Sequence, residues 1–179
     1  QRLIATVWYN LGQTRKQAGD IDGAAKAYQS ALDAAARDPD PVRPTRAVVL
    51  HSLANLERER GNRARAIELY AQVRPQFEKF YGADSPTLAT LLNNYGEAEA
   101  HSGNFADAAR LYGQALAIAR RRGSTDPGDY LPLANLAMLQ IWQKRYPEAE
   151  AGFRQALVHM KSASVGSEGS ALFPGMGLA

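Results

Sequence analysis

The chain contains no cysteine among its 179 residues, and this absence removes three kinds of site at once. Without thiols there is no disulfide framework, no thiolate metal site and no cysteine nucleophile. The absence leaves the compartment open, although a cytoplasmic location is the interpretation we prefer. Because the chain begins at Gln1 without a methionine, we expect it to be a fragment of a longer protein.

Long apolar runs and one-sided charge are also missing. No stretch approaches the ~20 apolar residues that a membrane-spanning helix needs, so we expect no membrane insertion. The formal net charge is only +3. Arginines gather around one turn, at Arg58, Arg60, Arg63 and Arg65, and in a run at 120–122, where they complement the negative end of a helix dipole. Because aromatic residues are not interleaved with these arginines, we do not expect nucleic acid binding.

What the chain does contain is a repeat. Gly19, Gly61 and Gly103 stand 42 residues apart. After each glycine come a short capping residue, an alanine and a tyrosine at fixed spacing: Asp20, Asn62 and Asn104; Ala24, Ala66 and Ala108; Tyr28, Tyr70 and Tyr112. A fourth repeat follows 41 residues later, with Lys144 in place of the glycine and with Ala149, Phe153 and Ala156 after it. A period of this length is typical of a solenoid, in which each repeat contacts its neighbours.

Each repeat predicts two amphipathic helices. In the third repeat, Leu88, Leu91, Leu92 and Tyr95 recur at helical spacing, and a second apolar series follows Gly103. The glycine supplies a helix C-terminus, Asp or Asn supplies the next N-cap, and Ser or Asp before proline marks a helix start between repeats. We therefore predict an all-α fold, a tyrosine series in the core, and helices at about 2–18, 21–37, 44–60, 63–80, 86–102, 105–122, 127–143 and 146–161.

The first repeat carries a motif made of Trp8, Leu11, Gly12, Gly19, Ala24, Tyr28 and Ala31. This motif resembles the tetratricopeptide repeat, and the 42-residue length together with the Leu-Leu-Asn-Asn string at 91–94 is similar to the kinesin-light-chain subclass. The resemblance implies a right-handed α-solenoid of four helix-turn-helix repeats, and the composition after Lys161 predicts an irregular tail. The repeats span about 5–43, 44–85, 86–126 and 127–161.

Two features depart from the family pattern. Arg15, Glu57 and Glu99 stand where the first helix usually has a tyrosine, and the fourth repeat lacks its glycine. The resemblance implies a module that binds a protein or peptide partner, but it does not identify that partner.

The resemblance also implies that the first helix of each repeat lines a concave groove. The candidate peptide-binding residues are Tyr9, Asn10, Gln13, Lys16, His51, Ser52, Asn55, Arg58, Asn94, Glu97, His101, Asn135, Met138 and Trp142. Asn10, Asn94 and Asn135 occupy equivalent places, with Ser52 in the second repeat. Asparagine is a mediocre helix former, and its carboxamide suits hydrogen bonding to the backbone of an extended peptide. The alternative is that these side chains bridge adjacent helices and set the pitch of the stack.

We expect this groove to bind an extended or short helical peptide segment, with Met138 and Trp142 forming an apolar pocket for an anchor residue. The alternative for Trp142 is that it packs under the segment that follows. Chaperone-binding members of the family use a carboxylate clamp of lysine, asparagine and arginine. Tyr9, Gln13, Ser52 and Thr90 stand where several of these would be, so we do not expect chaperone C-termini to bind. The alternative function is a regulatory sensor or autoinhibitory domain that controls an appended effector or DNA-binding domain.

Catalytic patterns are absent from the sequence. His51, His101 and His159 lie in separate predicted helices without the i, i+4 pairing of a helical metal site. There is no phosphate loop, no GxSxG turn and no HExxH motif. We therefore expect no enzyme activity, no metal and no cofactor.

After Lys161 the composition changes. Residues 162–170 are rich in glycine and serine and predict a flexible linker, whereas residues 171–179 are apolar. Leu172, Phe173, Met176 and Leu178 are the predicted anchors of this tail. We expect them to cover the last helix pair or to occupy a groove of the same or a neighbouring copy, which would allow self-association.

Overall fold

A computed structural model describes residues 2–37 and 45–169. The α-helices in these ranges are α1 (Arg2–Gln17), α2 (Ile21–Ala36), α3 (Thr45–Glu59), α4 (Arg63–Tyr81), α5 (Pro86–His101), α6 (Phe105–Arg121), α7 (Leu131–Trp142) and α8 (Tyr146–Gly169). A short 3-10 helix, Pro127–Tyr130, precedes α7, and the described ranges contain no strand. The predicted all-α fold of repeated helix pairs is confirmed.

Two helix bounds differ from those predicted by more than one residue. The seventh helix is preceded by the 3-10 turn, because the Asp126 side chain accepts a hydrogen bond from the Gly128 amide at 2.8 Å and closes a tighter first turn. The last helix runs to Gly169, so the flexible linker predicted for residues 162–170 is helical over most of its length. Once a helix is nucleated, each further residue adds a hydrogen bond, and this stretch contains no proline to end it.

The predicted tail anchors Leu172, Phe173, Met176 and Leu178 lie outside the described residues. Their role in self-association stays a prediction.

The helices group into two compact units. The N-terminal unit comprises Gln1–Ala83 with His101–Gly103, and it contains α1 to α4. The C-terminal unit comprises Asp84–Ala100 and the chain from Asn104 onward, and it contains most of α5 together with α6 to α8. Each unit therefore holds two helix pairs.

A residue in the left-handed conformation follows the first helix of each repeat. The φ angle is 81° at Gly19, 81° at Gly61 and 85° at Gly103. The following amide then reaches back across the turn, as in a Schellman motif, where it bonds to a carbonyl five residues earlier. Lys144 keeps the same turn with a φ of 61°, and Arg145 N donates to a carbonyl at 2.8 Å. A lysine in this conformation carries strain of about 1–2 kcal/mol that glycine avoids.

The sequence predicts side-chain caps at Asp20, Asn62 and Asn104, but only Asp20 makes one, accepting a hydrogen bond from the amide three residues later at 2.9 Å. Asn62 and Asn104 occupy the N-cap position without a capping bond. Their side-chain amides instead donate to Glu57 and Glu99, at 2.6 and 2.7 Å. A carboxylate is a stronger acceptor than a neutral oxygen, so these bonds hold the turn between paired helices. The two glutamates that depart from the usual repeat pattern therefore have a structural role.

The tyrosine series is buried, as predicted. Tyr28, Tyr70 and Tyr112 have almost no exposed surface, and neither have the alanines one turn before them. Two glycines of the first helices give the rings their space. A Cβ added to Gly12 would lie 2.5 Å from the Tyr28 ring, and one added to Gly96 would lie 2.8 Å from the Tyr112 ring. Because glycine has no side chain, the paired helices can pack closely against the rings.

Replacing Lys144 with glycine should raise the free energy of unfolding by about 0.5–1 kcal/mol, since the relief of left-handed strain exceeds the added entropy of the unfolded chain. The matched control is Gly103→Ala, whose Cβ would meet no atom within 4 Å. Because only strain is added there, we expect a loss of about 1 kcal/mol. Urea denaturation measures both changes. Equal stability of the unmodified protein and the two variants would contradict the assignment of backbone strain to the left-handed residue of the turn.

Candidate functional site

The side chains predicted to bind a partner lie on α1 and α3 in the N-terminal unit and on α5 and α7 in the C-terminal unit, except that His101, at the end of α5, groups with the N-terminal unit. Four of them are exposed: Asn10, His101, Met138 and Trp142. The others are half-buried: Tyr9, Gln13, Lys16, His51, Ser52, Asn55, Arg58, Asn94, Glu97 and Asn135. Half-burial indicates that many of these side chains also have structural contacts.

Two of the predicted amides bond to the buried tyrosines of their own repeats. The Tyr28 hydroxyl donates to Gln13 Oε1, and the Tyr70 hydroxyl donates to Asn55 Oδ1 at 2.6 Å. Burial raises the pKa of Tyr28 to about 12, with nearby Tyr9 and Glu59 adding to the effect, so the hydroxyl keeps its proton. A buried hydroxyl without a partner costs about 1–3 kcal/mol. Gln13 and Asn55 therefore stabilise the fold.

The sequence contains a signal from which this pairing could have been predicted. The aromatic residue of each repeat and the residue fifteen positions before it change together. Tyrosine occurs with glutamine or asparagine in the first two repeats, whereas the fourth repeat has Phe153 with Met138. An aromatic ring without a hydroxyl needs no polar partner.

His51 lies among aromatic rings on α3. Its ring centroid is 5.2 Å from that of Phe77 and 6.2 Å from that of Tyr70. Its Nε2 atom lies 3.5 Å from the Asn55 side-chain nitrogen. Burial lowers the pKa of His51 to about 4, so the imidazole is neutral at physiological pH.

We call the equivalent positions Asn10, Ser52, Asn94 and Asn135 the asparagine series, and two of its members join neighbouring first helices. Ser52 Oγ lies 3.5 Å from the Tyr9 hydroxyl in the N-terminal unit. In the C-terminal unit, Asn135 Nδ2 donates to Asn93 Oδ1 at 2.9 Å. Each bond reaches the residue one place before the equivalent position of the preceding repeat. Ser52 and Asn135 therefore make the bridges that the pitch-setting alternative requires.

A cleft of about 140 Å³ opens beside α5 in the C-terminal unit. Its lining includes Thr90, Asn93, Asn94, Asp129, Leu131 and Pro132. Asp129 accepts hydrogen bonds from Arg122 at 3.0 Å and from Ser124 at 2.5 Å, which fixes one wall. The volume has room for several water molecules or for a side chain of a ligand. Asn94 is the member of the asparagine series that lines this cleft.

Helix α7 exposes three large apolar side chains along one side. Leu131, Met138 and Trp142 recur at i, i+7 and i+11, and all three are exposed. The Trp142 ring rests against Phe105, with the ring centroids 5.8 Å apart. We call Leu131, Met138 and Trp142 the apolar stripe. Met138 and Trp142 are among the predicted residues, whereas Leu131 is not, although its spacing on the helix was an available signal.

The apolar stripe is particular to the fourth repeat. The equivalent places in α5 hold Thr90, Glu97 and His101, which are all polar. The stripe therefore gives α7 a surface chemistry that the preceding first helix lacks.

Several charged side chains on the surface form ion pairs with one another. Both arginine clusters contribute to these pairs, which reduces the positive surface that a nucleic acid would need. The pairs are Lys16–Glu59 at 2.7 Å, Arg60–Asp22 at 2.8 Å, Arg65–Glu68 at 2.9 Å, Arg121–Asp84 at 2.6 Å and Arg122–Asp129 at 3.0 Å.

The described part of the chain offers neither a metal cluster nor a membrane span. Over residues 2–37 and 45–169, no three His, Cys, Asp or Glu side chains come together in a way that could hold a metal ion. None of the described helices combines the length and the apolar character that crossing a bilayer requires.

Comparison with known families gives matches over most of the chain. A model described as tetratricopeptide repeat matches residues 3–79 and 45–121, and a second model of the same description matches residues 99–161. No curated protein matches the chain.

Solved structures are similar over most of the chain. BtubC (BKLC) from P. vanneervenii has a TM-score of 0.81 and 23% identity, over 99% of this chain and 69% of its own. A putative kinesin light chain from Podosopora anserina, with nearly identical TPR-like repeats, has a TM-score of 0.73 and 20% identity, over 86% and 73% of the two chains. A Rap protein complexed with competence and sporulation factor has a TM-score of 0.73 and 12% identity, over 89% and 43%. Similarity at these identities shows a shared fold.

Asn55→Met should lower the free energy of unfolding by about 1–3 kcal/mol, because the buried Tyr70 hydroxyl loses its acceptor. Adding Tyr70→Phe should restore most of this loss, since the pair then matches Phe153 and Met138 of the fourth repeat. A double-mutant cycle in urea measures the coupling. Simply additive losses would show that the two side chains do not act together.

The stability of the protein should depend on the protonation of His51. The pKa of His51 is about 4 in the folded protein and about 6.5 when unfolded, so between these values the unfolded state binds more protons. The stabilising contribution of the neutral ring is therefore complete above pH 6.5 and is lost as the pH falls toward 4. His51→Gln, which cannot titrate, should show a shallower loss of stability across this window in thermal unfolding. Parallel curves for the two proteins would contradict the expectation.

Proposed function

Because the chain belongs to the tetratricopeptide repeat family, whose repeats form protein–protein interaction modules, we propose that it binds an extended or short helical segment of a partner protein through its first helices. The observation that carries the proposal is the continuity of the cleft and the apolar stripe in the C-terminal unit. Leu131 belongs to both, since it lines the cleft and begins the stripe.

The cleft supplies polar contacts for a peptide backbone. The Asn94 carboxamide combines donors with an acceptor, so it can pair with a peptide N–H or C=O whatever the peptide side chain is. Asp129 lines the same cleft and is partly screened by Arg122, 3.0 Å away. We therefore propose that an extended backbone lies along α5 here.

The apolar stripe supplies selectivity. Exposed large apolar side chains that gather on one face are typical of interaction surfaces. Met138 and Trp142 stand one helical turn apart, and Phe105 supports the Trp142 ring from α6. A ligand with one or two large apolar side chains beyond its extended part would match this arrangement. We propose these residues as the anchor pocket.

The N-terminal unit offers a second set of contacts. A cavity of about 200 Å³ is lined by Thr6, Tyr9, Thr45, Val48 and Val49. It is mostly apolar, so it suits an aliphatic side chain.

We also propose ligand contacts for the remaining predicted residues, which are Asn10, Lys16, Arg58, Glu97 and His101.

The comparison with the Rap protein supports ligand binding by this fold, since that protein is complexed with competence and sporulation factor. The regulatory-sensor alternative depends on an appended effector domain and stays a hypothesis.

The test is a selection of phage-displayed random peptides against the immobilised chain, followed by titration of the selected peptides. Met138→Ser combined with Trp142→Ser should weaken binding at least about tenfold. Each substitution removes apolar contact area that stabilises the complex by more than about 1 kcal/mol. Asn94→Ala should weaken binding about 2–10-fold, because the peptide backbone loses hydrogen bonds to the carboxamide.

The matched control is Gln72→Ala, an exposed amide on α4 that belongs neither to the cleft lining nor to the stripe, and it should bind like the unmodified chain. Peptides that bind all of these variants with equal affinity would overturn the proposed site. A selection that enriches no peptide would overturn the proposed function.

A further inference from the structure

The cleft beside α5 contains a carboxylate that uses only one of its two oxygens within the chain. Arg122 donates to Asp129 Oδ2 at 3.0 Å, and the Ser124 hydroxyl donates to the same atom at 2.5 Å. No donor in residues 2–37 or 45–169 reaches Asp129 Oδ1. The Asp129 side chain keeps 17% of its surface accessible. Its second oxygen is therefore an acceptor that a ligand can use.

The turn that carries Asp129 is held by several contacts, so this acceptor has a fixed position. Ser124 Oγ accepts a hydrogen bond from the Asp126 amide at 3.2 Å, and the Ser124 carbonyl accepts one from the Tyr130 hydroxyl at 3.0 Å. Tyr130 in turn stacks on His159 of α8, with the ring centroids 5.0 Å apart. A ligand that meets a preorganised acceptor does not lose affinity by having to order it.

The rest of the cleft suits a side chain with an apolar stem and a polar end. Apolar lining comes from Ala89, Ala115, Leu131 and Pro132. Thr90 also lines the cleft, and its hydroxyl donates to the Pro86 carbonyl at 3.0 Å, so its oxygen remains as an acceptor. Lysine and arginine have such side chains, since they bury an apolar stem and keep the charged end in polar surroundings.

The charge of the turn beside the cleft is negative. Residues 122–129 contain two carboxylates, Asp126 and Asp129, and one cation, Arg122. Asp126 accepts a hydrogen bond from the amide of Gly128 at 2.8 Å, and Gly128 is part of the cleft lining. A cationic ligand group is attracted to such a site, whereas a ligand carboxylate is repelled.

We propose that the cleft binds the side chain of a lysine or arginine of the partner segment, whose cationic group donates to Asp129 Oδ1. This inference rests on the proposed function, because the segment that lies along α5 supplies the basic residue. Leu131 belongs both to the cleft and to the apolar stripe. The partner segment therefore combines a basic residue with the large apolar residues that contact Met138 and Trp142.

The test uses the peptides selected on the immobilised chain and measures their affinity by isothermal titration calorimetry. The selected sequences should share a lysine or arginine. Replacing that residue with glutamine should weaken binding about 5–10-fold, as expected for a partly exposed, charge-assisted hydrogen bond. Asp129→Asn should weaken binding of the basic peptide by the same factor, and should change the affinity of the glutamine analogue less than about twofold.

Arg122→Gln separates a ligand contact from a structural role of Asp129. This substitution and Asp129→Asn both remove the same ion pair, so a purely structural effect would weaken binding in both variants. Glutamine still offers an N–H group to Asp129 but removes the competing positive charge. The basic peptide should therefore bind to Arg122→Gln about 2–3-fold more tightly than to the unmodified chain.

The matched control is Asp107→Asn, an aspartate of the same unit that is paired with Arg110 at 2.9 Å and does not line the cleft. It should bind both peptides like the unmodified chain, and circular dichroism should show that all variants fold.

Selected peptides that lose affinity for the Met138 and Trp142 variant but not for Asp129→Asn would overturn this inference and leave the proposed function intact. Weaker binding of the basic peptide to Arg122→Gln would also overturn it. A selection that enriches no peptide would overturn the proposed function and this inference together.

Discussion

The left-handed residue after each first helix is the constraint on which the rest of a repeat depends. It reverses the chain in so few residues that the second helix must lie against the first. Only then can the Tyr28 ring rest on Gly12 and the Tyr112 ring on Gly96. Lys144 demonstrates how strong the constraint is, because the fourth repeat keeps a φ of 61° even with a side chain that disfavours it. The packing of α7 against α8 compensates for that strain.

Close packing on a tyrosine creates a second requirement, because the ring carries a hydroxyl into the interior. Gln13 and Asn55 meet it by accepting hydrogen bonds from Tyr28 and Tyr70. Side chains on the first helices therefore make hydrogen bonds to core residues on one side and contact solvent on the other. Polar residues at these places cannot be assigned to ligand binding on polarity alone, and this is why the apolar stripe carries more weight in the proposed function than the amides do.

Local signals allowed most of the helix bounds to be predicted from the sequence. Glycine, capping residues and proline act within one turn, so their effects can be derived without the tertiary structure. Ser85, for example, accepts a hydrogen bond from the Leu88 amide at 3.1 Å, as expected for an N-cap. The partners of Asn62 and Asn135 could not be derived in this way. Each depends on which acceptor the folded chain places nearby, and for Asn135 that acceptor is Asn93, 42 residues earlier.

The repeat itself separates two kinds of exposed apolar surface. Val7 and Trp8 stand at positions that are buried in every later repeat, so their apolar character belongs to the repeat pattern and not to a special chemistry of α1. Met138 and Trp142 stand at positions that no repeat buries, where the other first helices carry polar residues such as Glu97 and Glu59. Stacking more repeats of the same kind would cover the first surface and leave the second exposed. The apolar character of α1 at these two positions therefore follows from the repeat pattern, whereas the stripe on α7 departs from that pattern and is the surface that we propose for ligand binding.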